Sequence, residues 1–70
     1  MKDDICKQFA TKVQELREAK KMTKSQLSEL AGLDMSYIGK IERCEKHPNI
    51  KTIAKLAGGL GVPVKDLFDF

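Results

Sequence analysis

The sequence holds no apolar run near the ~20 residues that a membrane span needs, and its charged opening, MKDDICKQ, lacks the apolar centre of a signal peptide. A cytoplasmic chain with no membrane partner is the expectation. Cysteine is scarce: Cys6 and Cys44 are too few and too far apart in sequence for a disulfide framework, and in that compartment they are expected to stay free thiols. Cys44-x-x-His47 is half of a zinc pattern without a second pair of suitably spaced ligands, so no metal and no other cofactor is expected. His47, the only histidine, stands beside Pro48 with no nucleophile, metal set or phosphate-cradling glycine loop around it, which argues against an enzyme. There are no repeats, linkers, low-complexity tracts or convincing strands. Residues 1–70 therefore read as a single domain, near the lower size at which a lone hydrophobic core suffices.

What remains is charge and helical periodicity. Lys and Arg number 13 against 10 Asp and Glu, a net charge of +3 that permits an anionic partner without requiring one. Ile5, Phe9, Val13 and Leu16 step along one side of a first helix and should be core. Lys7, Lys12, Glu15, Glu18 and Lys20 alternate in sign over the rest, as on a solvated face. Arg17 adjoins the apolar stripe, so its head group is expected to be partly withdrawn from water and to need an acidic partner.

The stretch from Thr23 to Glu42 reads as two short amphipathic helices joined by a sharp corner. Leu27, Leu30 and Ala31 give the first a buried side, and Ile38 and Ile41 do the same for the second. Ser28 is small where the helices cross, and Gly32 permits positive φ at a helix end. Thr23 and Asp34 are suited to cap the two helix starts. This is the helix-turn-helix arrangement, whose second helix can enter the major groove of DNA. Arg43 to Pro48 reads as a connecting loop. Asn49 caps a fourth helix with Ile50, Ile53, Ala54, Ala57 and Leu60 as its stripe, and Gly58-Gly59 is expected to weaken or shorten its end. Pro63 suits the start of a short fifth helix from Val64 to Phe68.

The chain resembles the Cro and phage-repressor type of helix-turn-helix domain, often called XRE-like. The resemblance is carried by Val13-x-x-Leu16-Arg17, Met22-Thr23, Leu27-x-x-Leu30-Ala31-Gly32-Leu33, Tyr37-Ile38-x-Lys40-Ile41-Glu42-Arg43, Pro48 and Leu60-Gly61-Val62-Pro63-x-x-x-Leu67. In its near-minimal length the chain also resembles the controller proteins of restriction-modification systems. The resemblance implies an all-α, compact five-helix repressor-like domain, with the helix-turn-helix at about 23–43 and a C-terminal dimerisation region at about 60–70. It further implies double-stranded DNA as partner, a homodimer acting as a transcriptional regulator, and RNA polymerase as a further candidate partner. In similar domains an arginine at the place of Arg17 pairs with a glutamate at the place of Glu42, so an Arg17 to Glu42 structural ion pair is expected.

Within that frame, Met35, Ser36, Gly39 and Lys40 are the candidate base-reading residues, with Gly39 forming a notch in the outward face. Thr23, Lys24, Tyr37, Arg43 and Lys46 are the candidate phosphate contacts, Thr23 and Lys24 together with free amides of the helix start. Tyr37 fits packing equally well, and Lys40 and Arg43 taken alone could be ordinary solvated charges. Lys24, where many relatives have glutamine, is suited to phosphate positioning. Cys44 replaces the glycine usual after the third helix, so the chain there either avoids positive φ or tolerates strain. Val64, Phe68 and Phe70 would form an exposed apolar patch and dimer contact, the competing reading being a tail folded back on its own domain. The function expected is a dimeric, sequence-specific DNA-binding regulator on a roughly palindromic operator. The alternative is a protein-binding adaptor or antitoxin-type module on the same fold.

Overall fold

The computed structural model describes residues 2–70, with side chains described from Ile5 onward. Four α-helices run in order: α1 (Lys2–Ala19), α2 (Lys24–Ala31), α3 (Met35–Glu42) and α4 (Ile50–Leu60). The expected fifth helix is instead a 3₁₀ helix, Val64–Phe68. Pro63 enters it with extended backbone, and the Asp66 amide donates to the Pro63 carbonyl at 3.0 Å, the i to i+3 closure of a 3₁₀ turn.

Local chemistry sets the boundaries. Thr23 forms a full capping box: its Oγ1 accepts from the Gln26 amide at 3.0 Å, and the Gln26 Oε1 accepts from the Thr23 amide at 2.8 Å. Asn49 Oδ1 accepts from the Thr52 amide at 2.8 Å and caps α4 without a return bond. Asp34 occupies the N-cap position of α3 with extended backbone, but its carboxylate makes no capping hydrogen bond. Gly32 ends α2 at φ 70°, donating its N–H to the Ser28 carbonyl. A side chain there would carry the left-handed penalty, so glycine fixes the corner that aims α3.

The core lies where α2 meets α3 and α4, with α1 and the 3₁₀ helix closing it from outside. Leu27, Ile38, Ile41, Leu56, Leu60 and Leu67 are fully buried; each contributes roughly 2–3 kcal/mol by leaving water. Four expected core positions are corrected: Ile5, Leu30, Ile50 and Ala54 are exposed. On α2 the small Ser28 lets the crossing helix settle on Leu27, Ser28 and Ala31, which turns Leu30 outward. On α4 the buried stripe is Thr52, Leu56, Ala57, Gly59 and Leu60. Ile50 lies about 200° around the helix from Thr52 and so faces away.

Gly58 and Gly59 do not shorten α4, which continues to Leu60 and ends on Gly61 at φ 71°. The two glycines have opposite surroundings. A Cβ on Gly59 would stand 3.0 Å from the Ala31 backbone nitrogen and from the Ala31 and Leu27 side chains, whereas one on Gly58 would meet nothing within 4 Å. Gly59 thus allows α2 and α4 to touch. Gly58→Ala is expected to stabilise by about 0.5–1 kcal/mol, and Gly59→Ala to destabilise by about 1–3 kcal/mol. Thermal melts of the two variants should move in opposite directions, and a shift of the same sign in both would contradict the close approach.

Candidate nucleic-acid interface

The corner at Gly32 is short: the Leu33 amide also donates to the Ser28 carbonyl, at 2.9 Å, and α3 is under way by Met35. Ile38 and Ile41 are 0% and 1% exposed and seat α3 on the core. The opposite side of α3 presents Met35, Ser36 and Lys40 to solvent. Side chains of these types can touch a thymine methyl, exchange hydrogen bonds with several base edges, and reach guanine acceptors.

Gly39 departs from the expected notch. It is buried, because the Arg43 guanidinium lies over it, with Nη1 3.0 Å from where a Cβ would stand. Lacking a side chain, position 39 is covered by the arginine one turn later. Arg43 is itself engaged: its Nε and Nη2 donate to the two carboxylate oxygens of Glu45 at 2.9 and 3.2 Å. The hydrogen bond from Arg43 holds the Glu45 carboxyl below its ordinary range, helped by the positive charges of Arg43 and Lys40. A phosphate approaching Arg43 has to compete with this carboxylate.

The other expected phosphate contacts are distributed around the same side chains. Thr23 is exposed, but the capping box occupies its own amide and that of Gln26. The free amides expected near Thr23 and Lys24 are therefore corrected to those of Lys24 and Ser25, the first two of α2, which have no intrahelical acceptor. Lys24 is partly buried and Lys46 exposed. Tyr37 is half-buried and its ring packs against the core.

Two links hold α1 against the end of α3. Arg17 Nε donates to Glu42 Oε2 at 2.7 Å and Nη2 to Oε1 at 3.1 Å, while Nη1 donates to the Met22 carbonyl at 2.8 Å. The Arg17 and Glu42 side chains are only 9% and 4% exposed. The second link corrects the expectation of free thiols: Cys6 and Cys44 are joined as a disulfide, with their Cα atoms 5.9 Å apart. They stand 38 positions apart in sequence, and only the packing of α1 beside the turn after α3 brings them together. Cys44 adopts φ 61°, so the chain accepts the left-handed conformation that glycine would take there without penalty. The same packing places His47 beside the two sulfurs, a grouping that the half-pattern Cys44-x-x-His47 signalled without its third member.

Near the C-terminus, Val64, Phe68 and Phe70 are 44%, 40% and 50% exposed. Phe68 stacks on Phe9 at 5.1 Å between ring centroids and reaches Phe70 at 6.4 Å. The tail is thus anchored on α1 through one face of Phe68 and leaves an apolar surface outside. Among the described residues no helix is long and apolar enough to cross a membrane.

Comparison with known proteins gives this geometry a family. Residues 13–67 match the family described as Helix-turn-helix, HTH_3. The chain is 38% identical over 53 residues to the immunity repressor protein of Bacillus phage phi105, covering 76% of this chain and 37% of the repressor. It is 35% identical over 71 residues to control protein C.BamHI of Bacillus amyloliquefaciens, covering 100% of this chain and 88% of that protein. Some curated relatives, the phage repressor among them, are therefore much longer than this chain, which spans little more than a third of that repressor. The crystal structure of the restriction-modification controller protein C.AhdI from Aeromonas hydrophila superposes with a TM-score of 0.88 at 36% identity, over 90% of this chain and 96% of that one. With most of its length matched in sequence and fold alike, the chain belongs to the XRE-type helix-turn-helix family.

Proposed function

We propose that the protein is a sequence-specific, double-stranded-DNA-binding transcriptional regulator that acts as a homodimer on a roughly palindromic operator. The observation that carries this reading is the two-sidedness of α3. Ile38 and Ile41 are sealed against the core while Met35, Ser36 and Lys40 face solvent on the helix that follows the Gly32 corner. Lys40 is the base reader with the strongest hydrogen-bonding reach; Lys24, Lys46 and the amides of Lys24 and Ser25 hold phosphates, and Thr23, Tyr37 and Arg43 border them. Pairing through Val64, Phe68 and Phe70 would set two copies of α3 about 34 Å apart, one helical turn of duplex.

Selection of bound fragments from a random duplex pool tests this directly, since it returns specificity, symmetry and half-site spacing together. Lys40→Ala is expected to relax the selected sequence at one position in each half-site, at about 1–3 kcal/mol per contact, whereas Lys24→Ala should lower affinity for all sequences and reduce the salt slope by about 1 per protomer, about 2 for the dimer. For a dimer making some 6–10 phosphate contacts, affinity should fall by about 10³–10⁵ between 50 and 200 mM salt. A flat salt response with no selected sequence would instead support an adaptor that holds a protein, a reading favoured by the exposed Val64, Phe68 and Phe70 surface.

A further inference from the structure

The surroundings of the Cys6–Cys44 bond hold a group that DNA reading does not use. Sγ of Cys6, Sγ of Cys44 and an imidazole nitrogen of His47 all lie within 4.8 Å of one another. Both cysteines are partly exposed and His47 is exposed, so an ion has a path to them. Cys44 and His47 stand three residues apart, a chelating spacing in structural zinc sites, and the missing third ligand arrives from α1. Two of the donors, Cys6 and His47, edge an apolar groove of about 230 Å³ lined also by Ile5, Phe9, Pro48, Ile53 and Phe68. Such a wall supplies no competing hydrogen bonds and lowers the local dielectric. Glu45, the nearest carboxylate along the chain, is occupied by Arg43.

We infer that Cys6, Cys44 and His47 form, when the disulfide is opened, a binding site for one thiophilic d¹⁰ cation, with a fourth coordination position left to solvent or a small ligand. Two thiolates and one imidazole are the donor set that favours zinc or copper(I) over magnesium or calcium. Two thiolate charges also balance a divalent ion. Opening the site requires a dithiol: it delivers two electrons and two protons to the Cys6–Cys44 bond, giving two thiols, and closes into its own disulfide. Binding of a divalent ion then releases the two thiol protons. Metal and disulfide are mutually exclusive at these sulfurs, yet either one ties α1 to the turn after α3.

The test uses the full chain with cobalt(II) as the probe, in parallel samples with the disulfide intact and after reduction under nitrogen. The reduced chain is expected to develop a thiolate-to-metal charge-transfer absorption that saturates at a single equivalent and is displaced by zinc(II). The oxidised chain should show none. His47→Gln alters an exposed loop residue and should leave the far-ultraviolet dichroism unchanged. Its affinity should fall at least roughly tenfold, the lower end of what loss of a mere supporting group costs a metal site. Cys6→Ser and Cys44→Ser should abolish the absorption. If either unfolds, the redox comparison and His47→Gln decide the matter alone. A reduced chain without the absorption, equal binding by the oxidised chain, or His47→Gln binding as tightly as the parent would each overturn the site.

Discussion

Arg17→Ala is expected to lower the thermal midpoint on the order of 15–30 °C, the loss that follows from about 3–5 kcal/mol for breaking a buried pair in a domain of this size. The basis is geometric. Arg17 spends three nitrogens on Glu42 and the Met22 carbonyl, and both charged side chains are nearly out of water. Removing the guanidinium strands the Glu42 carboxylate beside the core, and removing Glu42 strands the guanidinium. Arg17→Lys should recover little, because an ammonium cannot make the paired contact to both carboxylate oxygens. The hydrogen bond to Glu42, with the Glu42 charge behind it, holds the Arg17 guanidinium above its ordinary basic range despite burial. A group raised in this direction keeps its contribution below the ordinary arginine range and loses it only in stronger alkali, so its contribution should be constant between pH 6 and 9. Replacing the pair together, Arg17→Met with Glu42→Leu, should restore most of the loss, since apolar substitutes of similar volume often match a buried ion pair. Melts of Arg17→Ala that overlay the parent would show that the pair is not buried in solution.

Reduction of the Cys6–Cys44 bond is expected to cost up to about 4 kcal/mol, the loop-closure entropy of a chain joined across 38 residues. Here the effect acts on the unfolded chain, which gains conformations once its loop is open. The native contacts of α1 with α3 are retained. Chemical unfolding with and without a reductant should therefore shift the midpoint strongly and steepen the denaturant dependence, because the reduced unfolded state exposes more surface. Equal midpoints would mean that the reduced unfolded chain is already held compact. The Cys6→Ala variant separates this cost from any bound ion, since it lacks both the bond and the metal ligand.

The residues that specify this fold are unevenly legible in the linear chain. Local signals read well: Thr23 and Asn49 as caps, Gly32 as the corner, and Ile38 and Ile41 as the inward side of α3 depend on neighbours within one or two turns. Arg17 showed its burial by adjoining an apolar stripe, although naming Glu42 as its partner needed a family resemblance. Stripe edges read poorly. Leu30 and Ile50 are as apolar as their buried neighbours, and only the place where another helix crosses decides which of them faces water. Gly59 looked like a weakness because its use, contact with the Ala31 backbone, involves a residue on another helix. The sulfur pair was hidden for the same reason, its separation in sequence giving no hint of the packing that closes it. On the outer side of α3, the covering of Gly39 by Arg43 depends on a side-chain conformation and on Glu45, which no periodicity encodes.

The bond between positions 6 and 44 also has a mechanical consequence. It encloses most of α1 with all of α2 and α3 in a covalent ring and leaves α4 and the 3₁₀ helix outside it. Tension applied to the two termini would pass from residue 6 straight to residue 44 through the sulfurs. The segments outside the ring would stretch and α4 would peel away, while no load would be carried along the backbone of α2 and α3.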